Sequence, residues 1–338
     1  MHFKVKNKVG AQVPTLFLLP KRRSVQSTWC RFLKTDECGF SNPRLNTVGV
    51  DTARTRPVKV GTLFATLLLL FVMITQTTGQ SLTDSLTAYL RRLPTNAQVS
   101  VAVESLADST RSFHHQADER VPSASLIKLP ILIEAMERIK AGQLDPDEIH
   151  ILTDSEKTGG DGILKTYSHR SRIAYRDIIR LMMIHSDNTA TNILINELGM
   201  NAINQRIRSL GLAKTQLNRV MMDTAAVRQG RENYVTAREM NQLLTKIYQH
   251  QIATPALCDQ MLDILKQNEN RQTIPRLLPN TVVVAHKTGI LSYVRGDVGI
   301  IYAPQPFVLS VLVQGVSTAE AERIISEIAL MCYNHYKG

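Results

Sequence analysis

Acidic residues are scarce at the start of this 338-residue chain: residues 1–79 carry 12 Lys/Arg against 3 Asp/Glu, whereas residues 80–338 carry 28 against 26. The formal charge of +11 therefore belongs mostly to a basic leader, and the body is close to neutral. The near-neutral balance of the body counts against nucleic acid, and no nucleic-acid partner is expected. Cysteine is sparse too. Cys30 and Cys38 lie in the leader and Cys258 and Cys332 in the body, with no Cys-x-x-Cys pair. The chain has no His-Glu-x-x-His segment either, so neither a metal nor another cofactor is expected. Cys258 and Cys332 fall on apolar helical faces, which suits two buried thiols. A disulfide between them is the alternative, since connectivity cannot be read from spacing. No internal repeat is evident.

Long apolar runs are limited to one, residues 61–75, preceded by Arg54, Arg56 and Lys59. It is short for a membrane span and has the form of a signal-peptide core, with a cleavage point after Gly79. An uncleaved anchor is the other reading. The upstream stretch is too long for a signal n-region, so initiation is expected near Val48 or Val50. No cysteine follows the run, which argues against a lipoprotein anchor. The body is expected outside the cytoplasmic membrane, secreted or periplasmic, without stable membrane insertion.

The body, residues 80–338, opens on a short helix over 81–93. Val99, Val101 and Val103 alternate as in a half-buried strand, and a second strand is expected near 111–116. A helix carrying Ser125 then runs to about Ala141, with Pro130 loosening its first turns. Residues 136–279 read as helices and loops. Lys157–Gly162 is a loop, 175–185 and 189–198 are helices, Thr236 to Glu239 forms a capping box, and Thr254-Pro255 starts another helix. After Pro279, residues 282–287, 298–303 and 307–313 read as antiparallel strands. Thr318 is expected to cap a last helix. The order implies an α/β (α+β) fold: an antiparallel sheet flanked by helices, built from 80–135 and 280–338, around an inserted all-helical layer. A cleft between such layers is a natural place for a site.

Three short segments carry chemistry. Ser125-Leu-Ile-Lys128 places a hydroxyl and an amine on one helical face. Burial, a nearby cation and the helix N-terminus would lower the lysine pKa, letting it activate the serine. Alone, that spacing more often means a cap and a solvated lysine. Ser186-Asp187-Asn188 sits between two helices, where Ser186 and Asp187 could simply cap. Lys287-Thr288-Gly289 sits at a strand end, where it could be a strand running into a turn. Together and in this order, the three match the set found in class A β-lactamases and penicillin-binding proteins. From about 83 to 335 the chain resembles that superfamily of penicillin-recognising serine hydrolases, and within it the class A branch.

The resemblance implies specific roles. Ser125 would be the acyl-accepting nucleophile and Lys128 its base or part of a proton relay. Ser186 would pass a proton to the leaving nitrogen. Asn188 would bind the substrate's side-chain amide and position Lys128. Lys287 and Thr288 would hold a substrate carboxylate. Gly289 would leave room for substrate along the strand edge. Backbone N–H groups of Ser125 and Ile290 would form the oxyanion hole, worth about 3–4 kcal/mol for one donor. His185 and His286 are expected to be structural, and Arg295 is either a carboxylate ligand or a surface residue.

One departure stands out. Class A enzymes use a glutamate to activate the deacylating water. Aligning Arg219 with the family's arginine puts Met221 where that glutamate falls, and a thioether cannot deprotonate water. Asp223 is the nearest carboxylate and the candidate substitute. Its other readings are a helix cap or an ion pair with Arg219. The implied function is a class A-like β-lactamase opening a β-lactam amide through a Ser125 acyl-enzyme, acting on a small β-lactam or peptidoglycan-like molecule. The alternatives are a D-Ala-D-Ala peptidase, esterase or thioesterase of the same superfamily, and a non-catalytic envelope protein.

Overall fold

A computed structural model describes residues 81–108 and 110–338. The expectations for the leader, including the apolar run, the cleavage point and the start codon, lie outside the described residues.

Helix α1 (Leu82–Leu90) begins where Ser81 accepts the Asp84 N–H, and it buries Leu82 and Leu86. Strands β1 (Gln98–Ser105) and β2 (Ser112–His115) follow, then the short β3 (Val121–Pro122). Ser125 lies on a 3-10 turn, Ala124–Ile127, which runs into α2 (Lys128–Lys140). Pro130 is the third residue of α2, where an N–H would have no intrahelical acceptor. The irregularity expected at Pro130 is confined to the turn ahead of the helix.

Strands β4 (Ile149–Ile151) and β5 (Arg172–Ala174) pair with each other. Helices α3 (Tyr175–Ile184), α4 (Asn188–Leu198), α5 (Met200–Ser209) and α6 (Thr224–Arg228) come next. Strand β6 (Tyr234–Val235) returns to β3, so the inserted layer is helical but carries two short ladders besides. Thr236 caps α7 (Ala237–Tyr248) through the Glu239 N–H. Glu239 does not complete a capping box; its carboxylate accepts from Lys214 N–H, Thr215 N–H and the Thr215 hydroxyl. Thr254 and Pro255 open α8 (Pro255–Lys266) as expected.

The chain closes with β7 (Val284–Leu291), β8 (Val294–Ile301), β9 (Phe307–Gln314) and α9 (Thr318–Tyr336). Only Ser292 and Tyr293 separate β7 from β8, so both strands lie displaced from the positions expected and Lys287-Thr-Gly falls mid-strand. Ser317, one residue before the expected cap, accepts the Glu320 N–H and starts α9.

The five long strands form one antiparallel sheet in the order β2-β1-β9-β8-β7, drawn from both ends of the body. On one face, Val99, Val101 and Val103 of β1 pack with α1 and α9. On the other, Ala102, Val298 and Leu312 join the core of the helical layer. Strand β1 is therefore covered on both faces rather than half-buried. Cys258 lies in the helical-layer core and Cys332 on the buried face of α9, in separate clusters on opposite faces of the sheet, and both are free thiols. Among the described residues, no helix is long and apolar enough to cross a membrane.

Candidate active site

The turn before α2 presents Ser125, half-buried, while Lys128 is fully enclosed. Lys128 Nζ lies 3.0 Å from Ser125 Oγ, 2.5 Å from the Ser186 carbonyl oxygen, 3.2 Å from Ser186 Oγ and 3.0 Å from Asn188 Oδ1. Burial pushes this amine well below the ordinary lysine range, and the charge on Lys287 adds to the shift; Asp161 and Asp187 oppose it. A neutral amine has two N–H groups and one lone pair. The Ser186 carbonyl and Asn188 Oδ1 can only accept, so they take both N–H groups. The lone pair is left for the Ser125 hydroxyl proton.

The second motif is held open by strain. Ser186 has φ 52°, in the left-handed region that non-glycine residues seldom occupy. Asp187 caps α4 through Ala190 N–H and reaches across to Ile163 N–H and Leu164 N–H, at 2.6 and 2.7 Å. Asn188 donates to the Gly159 carbonyl, and its own N–H donates to the Asp161 carbonyl. The 158–164 loop is thereby bound to the Ser186-Asp-Asn corner. A Cβ on Gly160 would fall 2.6 Å from Asn188 Nδ2, and one on Gly162 2.3 Å from the Asp187 carboxylate. Both glycines are required by close approach.

The third motif borders the same space from β7. Lys287, 1% exposed, places Nζ 2.9 Å from Ser186 Oγ and 2.9 Å from the Thr288 carbonyl oxygen. Burial brings its pKa down to about 8, with Asp297 and Asp161 opposing and Arg295 assisting. Strand β7 is an edge of the sheet. The carbonyls of His286 and Thr288 bond off that edge, to Asn268 and Lys287. Ile290 shares their parity, so its N–H also points off the edge, toward the cleft. Gly289 has a packing use as well. A Cβ there would lie 3.1 Å from Ala124, Leu126 and the Ser123 carbonyl, so the glycine lets the Ser125 turn approach the strand.

Two cavities meet at Ser125, Asp161 and Ile290. One, of about 380 Å³, is bordered by Ser186, Lys287, Thr288, Arg295 and Glu322. Arg295 is 4% exposed and pairs with Glu322 at 3.0 Å, so it is a buried member of this wall rather than a surface arginine. The other cavity, of about 480 Å³, is bordered by Asn188, Met221, Met222, Val227 and Tyr293, with Asp223 and Glu232. His185 is exposed, whereas His286 is buried against Asp297 at 3.0 Å and is structural.

Met221 is buried, and Asn192 holds its backbone through both the N–H and the carbonyl. Asp223 borders the larger cavity, but its Oδ1 accepts the Ala226 N–H and caps α6. Arg219 pairs with Glu232, at 2.7 Å, and not with Asp223. Sequence reasoning missed Asn192 and Asp161. Asn192 stands one helical turn after Asn188, on the same face of α4. Asp161 was marked only by the glycines on either side.

A serine under a desolvated lysine, with a second lysine across a shared hydroxyl, defines a penicillin-recognising serine hydrolase on an α/β sandwich. The chain belongs to the beta-lactamase enzyme family, whose profile matches residues 81–336. It is 26% identical over 240 residues to a beta-lactamase of Streptomyces fradiae, covering 64% of this chain and 77% of that protein. A 95-residue stretch is 32% identical to the beta-lactamase regulatory protein BlaB of Streptomyces cacaoi. That match covers 28% of this chain and less than a third, 30%, of BlaB. Among solved structures, PBP-A superimposes with a TM-score of 0.70 at 27% identity, over 76% of this chain and 96% of that one.

Proposed function

We propose that residues 80–338 form one catalytic domain that opens the β-lactam amide through an acyl-enzyme on Ser125. The supporting observation is the enclosed Lys128 amine, 3.0 Å from Ser125 Oγ, with its N–H groups taken by two obligate acceptors. Neutral Lys128 takes the Ser125 proton as Oγ bonds to the carbonyl carbon. Backbone N–H groups of Ser125 and Ile290 hold the oxyanion. Ser186 Oγ, near both lysines, hands a proton to the nitrogen as the C–N bond breaks, and is reprotonated from Lys128. Lys287 and Thr288 hold the substrate carboxylate, and Asn188 the side-chain amide. Water then cleaves the ester, with Asp223 as the candidate base. The protein would act outside the cytoplasmic membrane, secreted or periplasmic.

Met221 favours a second reading, a D-Ala-D-Ala peptidase, esterase or thioesterase that β-lactams acylate but that releases them slowly. Mass spectrometry after a benzylpenicillin pulse separates the two. A Ser125 adduct that clears within seconds, with steady hydrolysis of a chromogenic cephalosporin, supports the lactamase. A persistent adduct supports the second reading. Ser125→Ala is expected to abolish both adduct and hydrolysis, and no adduct on the unaltered protein would reject both readings.

A further inference from the structure

The acylation chemistry accounts for Ser125, Lys128, Ser186, Asn188 and Lys287 but leaves one charged group at the centre of the cleft unused. Asp161 borders both cavities, together with Ser125 and Ile290. Its main chain is fixed: its carbonyl accepts the Asn188 N–H at 3.0 Å, and Gly160 and Gly162 on either side pack against Asn188 and Asp187. Its side chain is exposed and, among the described residues, forms no hydrogen bond or ion pair. A carboxylate on so tightly bound a loop is already oriented, and little conformational entropy remains to be lost when a ligand meets it.

The two cavities differ in what they offer a ligand. Lys287 and Arg295 belong to the smaller cavity, which suits a substrate carboxylate. The larger cavity is lined by Met221, Met222, Val227, Ile290 and Tyr293; its Arg219 is already neutralised by Glu232, and its other charges, Asp223 and Arg228, stand at the two ends of α6. A ligand whose carboxylate lies toward Lys287 therefore carries its acyl side chain past Asp161. We propose that Asp161 is a specificity-determining residue that selects substrates bearing an ammonium group on the acyl side of the reacting carbonyl. The favoured substrate is thus a zwitterion, its anion toward Lys287 and its cation at Asp161. This inference rests on the reading of Ser125 as the acylated nucleophile.

Three penicillins identical except at the side-chain α-carbon test it: an α-amino, an unsubstituted and an α-carboxy compound. The readout is the second-order rate of Ser125 acylation by mass spectrometry, which does not depend on turnover. The expected order is amino, then unsubstituted, then carboxy, with roughly fivefold steps typical of a partly solvated ion pair. Asp161→Asn should collapse the ratios between the three compounds, and Asp161→Lys should reverse their order. A change in the lysine environment would alter all three rates by a common factor and leave the ratios standing. Ratios near one in the unaltered protein, or ratios unchanged in both variants, overturn the role of Asp161 while Ser125 acylation stands. Absence of an adduct with every compound overturns the Ser125 reading and this inference together.

Discussion

Two buried lysines share one serine hydroxyl, Ser186 Oγ, and the proposed reaction needs them in different protonation states. On that proposal, Lys128 has to be neutral to accept the Ser125 proton, and Lys287 has to be charged to hold an anion and keep Lys128 neutral. Burial lowers both amines; the charge on Lys287 lowers Lys128 as well, whereas Asp297 supports the charge on Lys287. Acylation should therefore rise with pH as Lys128 deprotonates, then fall as Lys287 loses its proton near about 8. Lys287→Arg keeps the cation at high pH and should move the alkaline limb upward, at a cost of tenfold or more in rate from altered geometry. Acylation rates across the pH range check this; an alkaline limb left in place by the substitution would remove Lys287 as its source.

In the proposed reaction, deacylation would turn on two other side chains. Met221 has its backbone held by Asn192 and its side chain at the wall of the larger cavity, but it offers no base. Met221→Glu should shorten the lifetime of the penicillin adduct by roughly a hundredfold, the scale of general-base catalysis. Asp223→Asn retains a capping side chain for α6 while removing the base. If Asp223 activates water, the adduct lifetime in that variant lengthens by a similar factor; an unchanged lifetime confines Asp223 to capping.

At the scale of elements, the site is assembled by loops that only a few residues keep in place. Asp187 joins the start of α4 to the 158–164 loop through three backbone N–H groups, in space that Gly162 leaves open. Gly162 has φ 108°, and a Cβ there would strike the Asp187 carboxylate. Gly162→Ala is expected to lower stability by about 3 kcal/mol and to depress acylation more than tenfold, because Asp187 and then Asn188 must move. Denaturant melts and acylation rates on the same preparation test this. Loss of stability with unaltered acylation would uncouple the loop from the site.

Ser125, both lysines and the Ser186 corner were readable because residue type and order alone carry them. The structure brings the three segments together, Lys128 Nζ against Ser125 Oγ and Lys287 Nζ against Ser186 Oγ. Less was readable wherever a contact comes from distant chain. Nothing local shows that Gly289 makes room for Ala124, that Glu239 serves Thr215 rather than its own cap, or that Arg219 turns to Glu232. The displaced β7 and β8 have a similar origin. Gly289 and Gly296 are mutual partners in the ladder, and their low strand propensity obscures a pairing that runs to a two-residue turn.

Over the whole molecule, the sheet and the helical layer share one continuous core. Ala102, Ala285, Val298 and Leu312 from the sheet pack in the same cluster as Leu132, Leu194 and Leu244 from the helices. The opposite face is covered by α1 and α9, drawn from both ends of the body, with Leu86 and Ile328 fully buried. Neither layer keeps a closed core without the other, so the body should unfold in one cooperative transition. Leu194→Ala in the helical layer and Leu86→Ala beneath α9 should each cost about 2–4 kcal/mol and shift that same transition, monitored by circular dichroism and by a fluorophore on the helical layer. Two separable transitions, with Leu194→Ala moving only one, would mean that the helical layer unfolds by itself. The cleft at Ser125 would then be formed by the docking of two independent bodies rather than by a single fold.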